Sequence, residues 1–421
     1  MNALIPVCGL SLLAGCFTKA SEQYACVTNN DCNGGRICGT AKFCVVPDDG
    51  GNGSDGPPGD EGDPCMSFGA RHFNACSIPR PMGGPMQLDI TSSPYFYDTT
   101  TGQLLDPNNV PSTPPNMMVA DGRVLSVESF SLGAGATLRV RGNTPLIIAS
   151  WGTIEVSGII DASSKDTMPG AGAQPFTTPS TFCAMHQSAT PPQEGNGGGG
   201  GGGGAMQSNG GSGGDGNDGG NNGGTGAVGA LTAPPLLAAG CAGGKGGDGG
   251  GGTMGGAGGL GGGAIQLTAR TSISIAMTGK INAGGQGGRP ATGGAGGGGG
   301  GGAGGMIGLE APSLTITPGA ILAANGGGAG QGGGNGNARP NQAGQDAKIA
   351  AEAALGGKEN PNGSTGGNGG DGSISAAPAT AGATDGAGGG GGGGGAGYIT
   401  IKATTRNDSG ATFSPVATVI P

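Results

Sequence analysis

The sequence predicts an all-β protein, a right-handed parallel β-helix with long glycine-rich insertions, preceded by a small disulfide-rich module. Three observations support this prediction. Glycine supplies 106 of the 421 residues and aromatic residues only 3 %, so an ordinary side-chain core has too few members. Short strands with alternating apolar residues recur from Val124 onward, and four evenly spaced cysteines lie near the N-terminus.

An export signal is predicted over residues 1–15. An apolar run over residues 3–13 leads directly into Leu13-Ala14-Gly15-Cys16, and small residues at this point are typical of a signal cleavage site. These four residues resemble the lipobox of bacterial lipoproteins, which implies that Cys16 carries lipid and anchors the chain to a membrane. Phe17 stands where an inner-membrane retention signal has Asp, which implies the outer membrane or cell surface. An ordinary secretory signal with an incidental cysteine is the alternative.

Eight further cysteines follow Cys16, and an even number in an exported chain predicts disulfides. Residues 16–45 form the small module, in which the spacing is C-x5-C throughout. Zinc is the alternative there, although its sites usually show C-x2-C pairs, and the connectivity stays open. The module resembles small cysteine-rich modules of predatory-bacterium surface proteins. The eight candidates are Cys26, Cys32, Cys38, Cys44, Cys65, Cys76, Cys183 and Cys241.

The last four cysteines predict two disulfides. Cys65 and Cys76 are close enough in sequence to pair with each other, and Cys183 and Cys241 are the cysteines of the glycine-rich region. Closing that long loop stabilises the fold by roughly 4 kcal/mol in the chain-entropy account. A region poor in apolar side chains needs such a bond.

Between the module and the repeats lie a linker, residues 46–63, and a Pro/Thr-rich region, residues 64–122. The linker has the Gly, Asp and Pro composition of a flexible segment. The second region contains the one aromatic cluster of the chain, Tyr95, Phe96 and Tyr97. These residues predict a cap over the open end of a sheet, and a binding patch is the alternative.

Residues 123–421 carry the repeats. Each copy has three short strands with apolar residues at every second position, and the third strand of each full copy reads Gly-x-Ile-x-Ala. Ile265, Ile273 and Ile281 lie eight residues apart, one for each side of a triangular coil. Stacked coils bury a continuous apolar column. An antiparallel sandwich is the alternative, but its hairpins seldom have connections this long.

Glycine dominates three insertions between the strands, residues 163–263, 284–304 and 326–396. A flexible linker is the default expectation for this composition. Nearly pure glycine tracts that run straight into strands favour order instead. Polyglycine adopts polyproline-II helices, and without side chains these pack side by side through backbone bonds.

The combination of strand triplets and glycine tracts is similar to glycine-rich surface lipoproteins of myxobacteria. The resemblance rests on Leu146-Ile147-Ile148-Ala149, on Gly-x-Ile-x-Ala and on the glycine tracts, and it runs from about residue 86 to the C-terminus. It implies an architecture and a location. It implies no activity.

Charge and motifs narrow the function. A net charge of −9 repels phosphate backbones, which excludes nucleic acid as a partner. Gly-Gly-x-Gly-Gly-Asp segments at 210–215, 243–248 and 366–371 lack the tandem pattern of calcium-binding repeats, so each Asp is predicted to be a solubilising residue. His72 and His186 lie in different regions and are predicted to be surface residues. No metal or cofactor is predicted.

Stacking the second and third strands of the copies tests for an enzyme. The predicted outward column is Glu155, Ser274 and Thr315, and the predicted turn column is Asp161, Asn282 and Leu322. Neither column holds two carboxylates, as a polysaccharide lyase or hydrolase requires. The nearest basic residues are predicted to have no acidic partner column; they are Arg139, Arg141, Arg270 and Lys280.

The function predicted from these features is non-enzymatic: a lipid-anchored surface protein with a structural, adhesive or envelope-interaction role. Its predicted partners are the membrane, through the lipid, and surface polysaccharide or envelope proteins. A glycan-binding module that uses a β-helix face or Tyr95–Tyr97 is the first alternative. A carbohydrate-active enzyme is less favoured, and an ice-binding surface is disfavoured because flat threonine columns are not evident.

Overall fold

The computed structural model describes Ile37–Cys38, Cys44–Val45 and most of residues 68–421. Within the long stretch it omits residues 82–83, 90–92, 167, 176, 186–191, 218–219, 231, 335–340, 359–365, 375–378 and 385–386. Predictions about Cys16, Cys26, Cys32, Cys65 and the linker therefore lie outside the described residues. The chain divides into two units, Met1–Glu61 and Gly62–Pro421.

In the first unit, β1 (Ile37–Cys38) and β2 (Cys44–Val45) pair antiparallel. The register places Cys38 opposite Cys44.

The second unit is nearly all β. A short helix, α1 (Thr181–Met185), and two 3₁₀ turns, Ala75–Ser77 and Gly250–Gly252, accompany its strands. In the described residues no helix has the length and apolar character needed to cross a membrane. The strands are β3 (Met86–Leu88), β4 (Tyr95–Asp98), β5 (Gln103–Leu105), β6 (Pro111–Ser112), β7 (Asn116–Val119), β8 (Gly122–Val127), β9 (Phe130–Leu132), β10 (Thr137–Arg141), β11 (Leu146–Ser150), β12 (Thr153–Val156), β13 (Ile159–Asp161), β14 (Ala264–Ala269), β15 (Ser272–Ile275), β16 (Lys280–Asn282), β17 (Met306–Ile316), β18 (Ile321–Ala323), β19 (Tyr398–Asn407), β20 (Thr412–Ser414) and β21 (Thr418–Val419).

Parallel pairing arranges these strands in three columns. The first column runs β8, β11, β14 and the first halves of β17 and β19. The second runs β3, β9, β12, β15 and the second halves of β17 and β19. The third runs β4, β10, β13, β16, β18 and β20. Mostly parallel sheets confirm the predicted all-β class, and the antiparallel pairs β4–β5, β5–β6 and β7–β8 cluster near its N-terminal end.

The core lies inside the three columns. Ile265, Ile273 and Ile281, predicted to occupy three different sides, lie in β14, β15 and β16 and are at most 1 % exposed. Each aligns with an apolar residue of the next copy, Ile307, Leu314 and Leu322 respectively. Alternation with period two thus directs one apolar row per column inward.

The glycine-rich segments are ordered by backbone hydrogen bonds where they are described. Segment 297–305 donates every third N–H to the same neighbour: Gly298, Gly301 and Gly304 donate to residues 389, 392 and 395. This repeat of three is that of a polyproline-II helix, whose own backbone has no internal bonds. We call the described residues of 198–204, 211–227, 241–262, 283–304, 324–333 and 366–397 the glycine lattice.

Segment 297–304 lies at the centre of the glycine lattice. Its N–H groups donate to three segments, 241–247, 283–289 and 389–395. Three other segments donate N–H groups to its carbonyls and to the carbonyls of the flanking residues 295 and 296. These donor segments are 198–204, 256–262 and 327–333. The six neighbouring segments thus satisfy the hydrogen-bonding groups of this buried backbone without any side chain. Because these polar groups are paired, burying them costs little free energy.

Candidate functional site

The outward face of the first column is covered by residues 68–79, which we call the covering segment. Phe68, Phe73 and Ile78 of this segment are buried against outward side chains of the strands, such as Ile147 and Tyr398. The Phe68 ring lies edge-on to Phe73 at 6.0 Å and to Trp151 at 5.0 Å between centroids. A second apolar layer therefore holds the covering segment on the sheet.

Beneath this segment lies a buried carboxyl group, Glu310 of β17, which is 3 % exposed. The parallel register sets it between Thr268 of β14 and Lys402 of β19. Its Oε2 atom accepts from Nε2 of Gln266 at 2.9 Å, from the Thr268 hydroxyl at 3.3 Å and from the backbone N–H of Arg71 at 3.3 Å. Burial raises the pKa of Glu310, and the hydrogen bond from the Arg71 N–H, together with electrostatic contributions from His72, Arg71 and Lys402, partly offsets that rise.

A pocket of about 440 Å³ opens beside Glu310. Its walls include Phe68, Ala311, Pro312, Ala403 and Ile420, and Lys402 supplies a second polar group. The Lys402 ammonium donates to the carbonyl oxygen of Gly69 at 3.2 Å. Among the described residues it forms no ion pair with Glu310, although the two are cross-strand partners.

His72 belongs to the covering segment, and the prediction of a surface histidine is wrong. The side chain is buried at 5 % exposure, and its Nδ1 lies 2.9 Å from Oδ2 of Asp121. Asp121 stands in the turn between β7 and β8, so the pair fastens the covering segment to the first column. His186 lies outside the described residues.

The aspartates of the Gly-Gly-x-Gly-Gly-Asp segments have a structural role, which corrects the prediction of solubilising residues. Oδ1 of Asp215, Asp248 and Asp371 accepts the backbone N–H of Gly223, Gly255 and Gly356 respectively, each at 2.8 Å. Each carboxylate thus replaces a neighbouring carbonyl at the edge of the glycine lattice. The hydrogen bond from Lys245 is the largest cause that lowers the pKa of Asp248, and the Gly255 N–H adds to it. No group of three or more metal-ligating side chains occurs in the described part of the chain.

The outward column of Glu155, Ser274 and Thr315 is confirmed by the register. The other predicted column is wrong in its last member, because Asn282 aligns with Ala323 and Leu322 points inward. Arg139 has an acidic partner after all, since its guanidinium pairs with the Asp161 carboxylate.

A polar row that the sequence analysis did not identify runs along the second column. Thr153, Ser272, Ser313 and Thr405 align in consecutive strands. This row mixes serine and threonine and is not a column of threonines.

The aromatic cluster is divided between environments. Tyr97 is fully buried in the core, Tyr95 is half-buried against it, and Phe96 is half-buried beneath the Arg141 guanidinium, 5.1 Å from its ring centroid. Burial raises the pKa of Tyr97. Its hydroxyl has no hydrogen-bond partner among the residues that the structure describes. These three side chains do not form one exposed patch.

Among the predicted cysteine pairs, Cys183 and Cys241 form a disulfide with their Cα atoms 5.2 Å apart. Cys241 also belongs to the glycine lattice, where its carbonyl accepts from Ala303. Cys76 is disulfide-bonded as well.

The comparisons with known proteins add no relative: no family model, no curated protein and no solved structure matches this chain. The chemistry of the site is therefore judged from its own residues. Glu310 supplies one carboxyl group with three hydrogen-bond donors on one oxygen, and Lys402 supplies one ammonium. This set suits hydrogen bonding to a ligand better than general acid–base catalysis, which needs a second group placed across the reacting bond.

Proposed function

We propose that this chain is a non-enzymatic lipoprotein of the outer membrane or cell surface, anchored through Cys16, with a structural or adhesive role. The glycine lattice is the observation that supports the proposed structural role. Its central segment bonds to six neighbours, and its edge aspartates serve as backbone acceptors rather than as a catalytic or metal-binding group. Such a body is a rigid support for surface contacts.

We further propose that the three columns are the faces of a right-handed parallel β-helix. Successive strand triplets stack in parallel with in-register apolar rows, which supports that architecture. Parallel connections within one sheet are right-handed in nearly all proteins. The resemblance to myxobacterial surface lipoproteins agrees with the same architecture.

The anchor is tested by metabolic labelling with a palmitate analogue. Cys16→Ser is expected to lose the label and to release the chain from the membrane fraction, because the acyl chains supply the membrane affinity. Cys8→Ser is the matched control, since Cys8 lies within the predicted signal. A Cys16→Ser chain that stays labelled, or that stays quantitatively in the membrane, contradicts the anchor.

The surface role is tested on intact cells. The chain is expected to be cleaved by added protease, and cells that lack it are expected to lose adhesion or envelope integrity. Complementation with the parent chain should restore the property, and Cys16→Ser should not. Recovery of the protein only in the cytosol contradicts the proposal.

A further inference from the structure

The carboxyl group of Glu310 is buried by folding but is not fully enclosed by protein atoms. A buried carboxyl group is costly unless it is hydrogen-bonded or paired. Three donors converge on Oε2, whereas Oε1 has no hydrogen-bond partner in the described part of the chain. Among the described residues, the fully enclosed side-chain polar atoms without a hydrogen-bond partner are Tyr97 Oη and Gln331 Nε2, and not Oε1 of Glu310. Glu310 lines the pocket. Oε1 is therefore an acceptor held ready for a ligand.

Lys402 provides the opposite polarity on the adjacent strand. Neighbouring strands lie about 4.8 Å apart, yet the ammonium bonds to the Gly69 carbonyl rather than to Glu310. Its remaining N–H groups stay available, because an ammonium has three donors. The pocket thus presents an acceptor and a donor side by side.

The walls between and around these two groups are apolar. Ala311, Pro312, Ala403, Val419 and Ile420 supply aliphatic surface. The volume of about 440 Å³ falls within the roughly 300–1,000 Å³ of small-ligand pockets. A ligand that fits has C–H surface, a group that donates to Oε1 and a group that accepts from Lys402.

We propose that this pocket binds a neutral sugar residue, with Glu310 and Lys402 as its polar contacts. A sugar hydroxyl both donates and accepts, so one ring donates to Oε1 and accepts from Lys402 while its C–H face contacts the aliphatic walls. A uronate fits less well, because its carboxylate would lie near the carboxyl group of Glu310, and like charges repel. This inference rests on the proposed surface location, which would bring the pocket into contact with glycans.

The test uses the full mature chain in detergent and Trp151 as the reporter. Trp151 is the single tryptophan of the chain, and Phe68 both contacts it and lines the pocket. Methyl glucoside, methyl galactoside, methyl mannoside and N-acetylglucosamine are titrated by fluorescence and by saturation-transfer NMR. Galacturonate and alanine are titrated as charged alternatives. Saturable binding of at least one neutral sugar is expected.

Variants then assign the contacts. Glu310→Gln and Lys402→Met are each expected to weaken binding by about tenfold or more, since a hydrogen bond to a charged group is lost. Glu155→Gln, a change to an exposed carboxylate of the second column, is the matched control and should leave binding unchanged. Lys402 is partly exposed, so its variant stays informative if Glu310→Gln fails to fold.

Three results overturn the inference: no binding by either method, an affinity in both pocket variants equal to that of the parent chain, or preferred binding of galacturonate or alanine. None of these three results changes the outcome expected for palmitate labelling of Cys16. Failure of the sugar site and failure of the anchor are therefore distinguishable.

Discussion

Replacing Gly300 with alanine tests whether close backbone packing holds the glycine lattice together. An alanine Cβ at this buried position would lie 2.6 Å from the carbonyl carbon of Gly202 and closer still to its oxygen. Contacts below 3.0 Å are essentially never seen for real Cβ atoms. Segment 198–204 must therefore move, because the obstacle is backbone and not a flexible side chain.

The expected cost follows from two effects. Overpacking of a tight interior costs about 1–3 kcal/mol. Moving the Gly202 carbonyl also strains the bond that it accepts from Gly244 at 2.8 Å, and a hydrogen bond contributes about 0.5–1.5 kcal/mol. We expect Gly300→Ala to lower the free energy of unfolding by about 2–4 kcal/mol.

Gly244→Ala is the matched control inside the same lattice. Gly244 is buried and accepts the N–H of Gly300, but a Cβ there meets nothing nearer than 3.5 Å, and its φ lies outside the left-handed region. The variant should be neutral or more stable by about 0.4–1 kcal/mol, because alanine restricts the unfolded chain.

Chemical denaturation followed by circular dichroism measures both variants against the parent. The slope with denaturant should stay constant, so that a changed midpoint reports stability. Equal losses in Gly300→Ala and Gly244→Ala would refute the reasoning, because only one of the two positions meets backbone. So would an unchanged midpoint for Gly300→Ala.

Three further predictions use the same unfolding measurement. The double change Cys183→Ser and Cys241→Ser should lower the free energy of unfolding by about 4 kcal/mol, since the disulfide spans a sequence separation of 58 residues. Reduction of the disulfide in the parent chain should reproduce this loss. A small effect of both treatments contradicts the entropic account. Tyr97→Phe should raise the free energy of unfolding by about 1 kcal/mol, because it removes a buried hydroxyl that has no partner among the described residues. Tyr95→Phe should leave the free energy of unfolding unchanged. A clear loss of stability in Tyr97→Phe refutes this prediction. Because the pKa of Glu310 is raised above its ordinary 4.5, the parent loses stability as pH rises above that value until the folded-state pKa is passed. The stability of Glu310→Gln relative to the parent should therefore increase as the pH rises above about 4.5. A difference that is flat or falls with pH contradicts the raised pKa.

The strands were predictable because their signal is local. Alternation of apolar and polar residues identifies Thr153–Val156 or Ser272–Ile275 without any knowledge of distant contacts. The misplaced Leu322 shows the limit of this method. Shifting a strand by one residue exchanges its two faces, and the observed register aligns Leu322 with the buried Ile281.

Glu310 and its pocket were missed for two different reasons. The covering segment reaches Glu310 across 239 residues of sequence, and no local pattern reports such a contact. The row Thr268, Glu310 and Lys402, however, follows from stacking the first strands of the copies. The alignment of the first strands can thus be predicted from the sequence, whereas the position of the covering segment cannot.

The glycine lattice was predictable in kind but not in register. Composition and the pure glycine tracts favour side-by-side helices, but glycine has no side chain to select one neighbour over another. The pairing of Gly298 with Gly389, or of Gly300 with Gly244, has no counterpart in the sequence.

The first column supplies the register that the glycine residues lack. Segments 256–263, 297–305 and 389–397 run directly into β14, β17 and β19, which are neighbours in that order. The same order persists in the lattice, where Gly262 donates to Ala303 and Gly304 donates to Gly395. Apolar rows in the strands select the pairing, since a shift there would expose one row. The glycine segments then continue it, so the β-columns act as the template of the lattice.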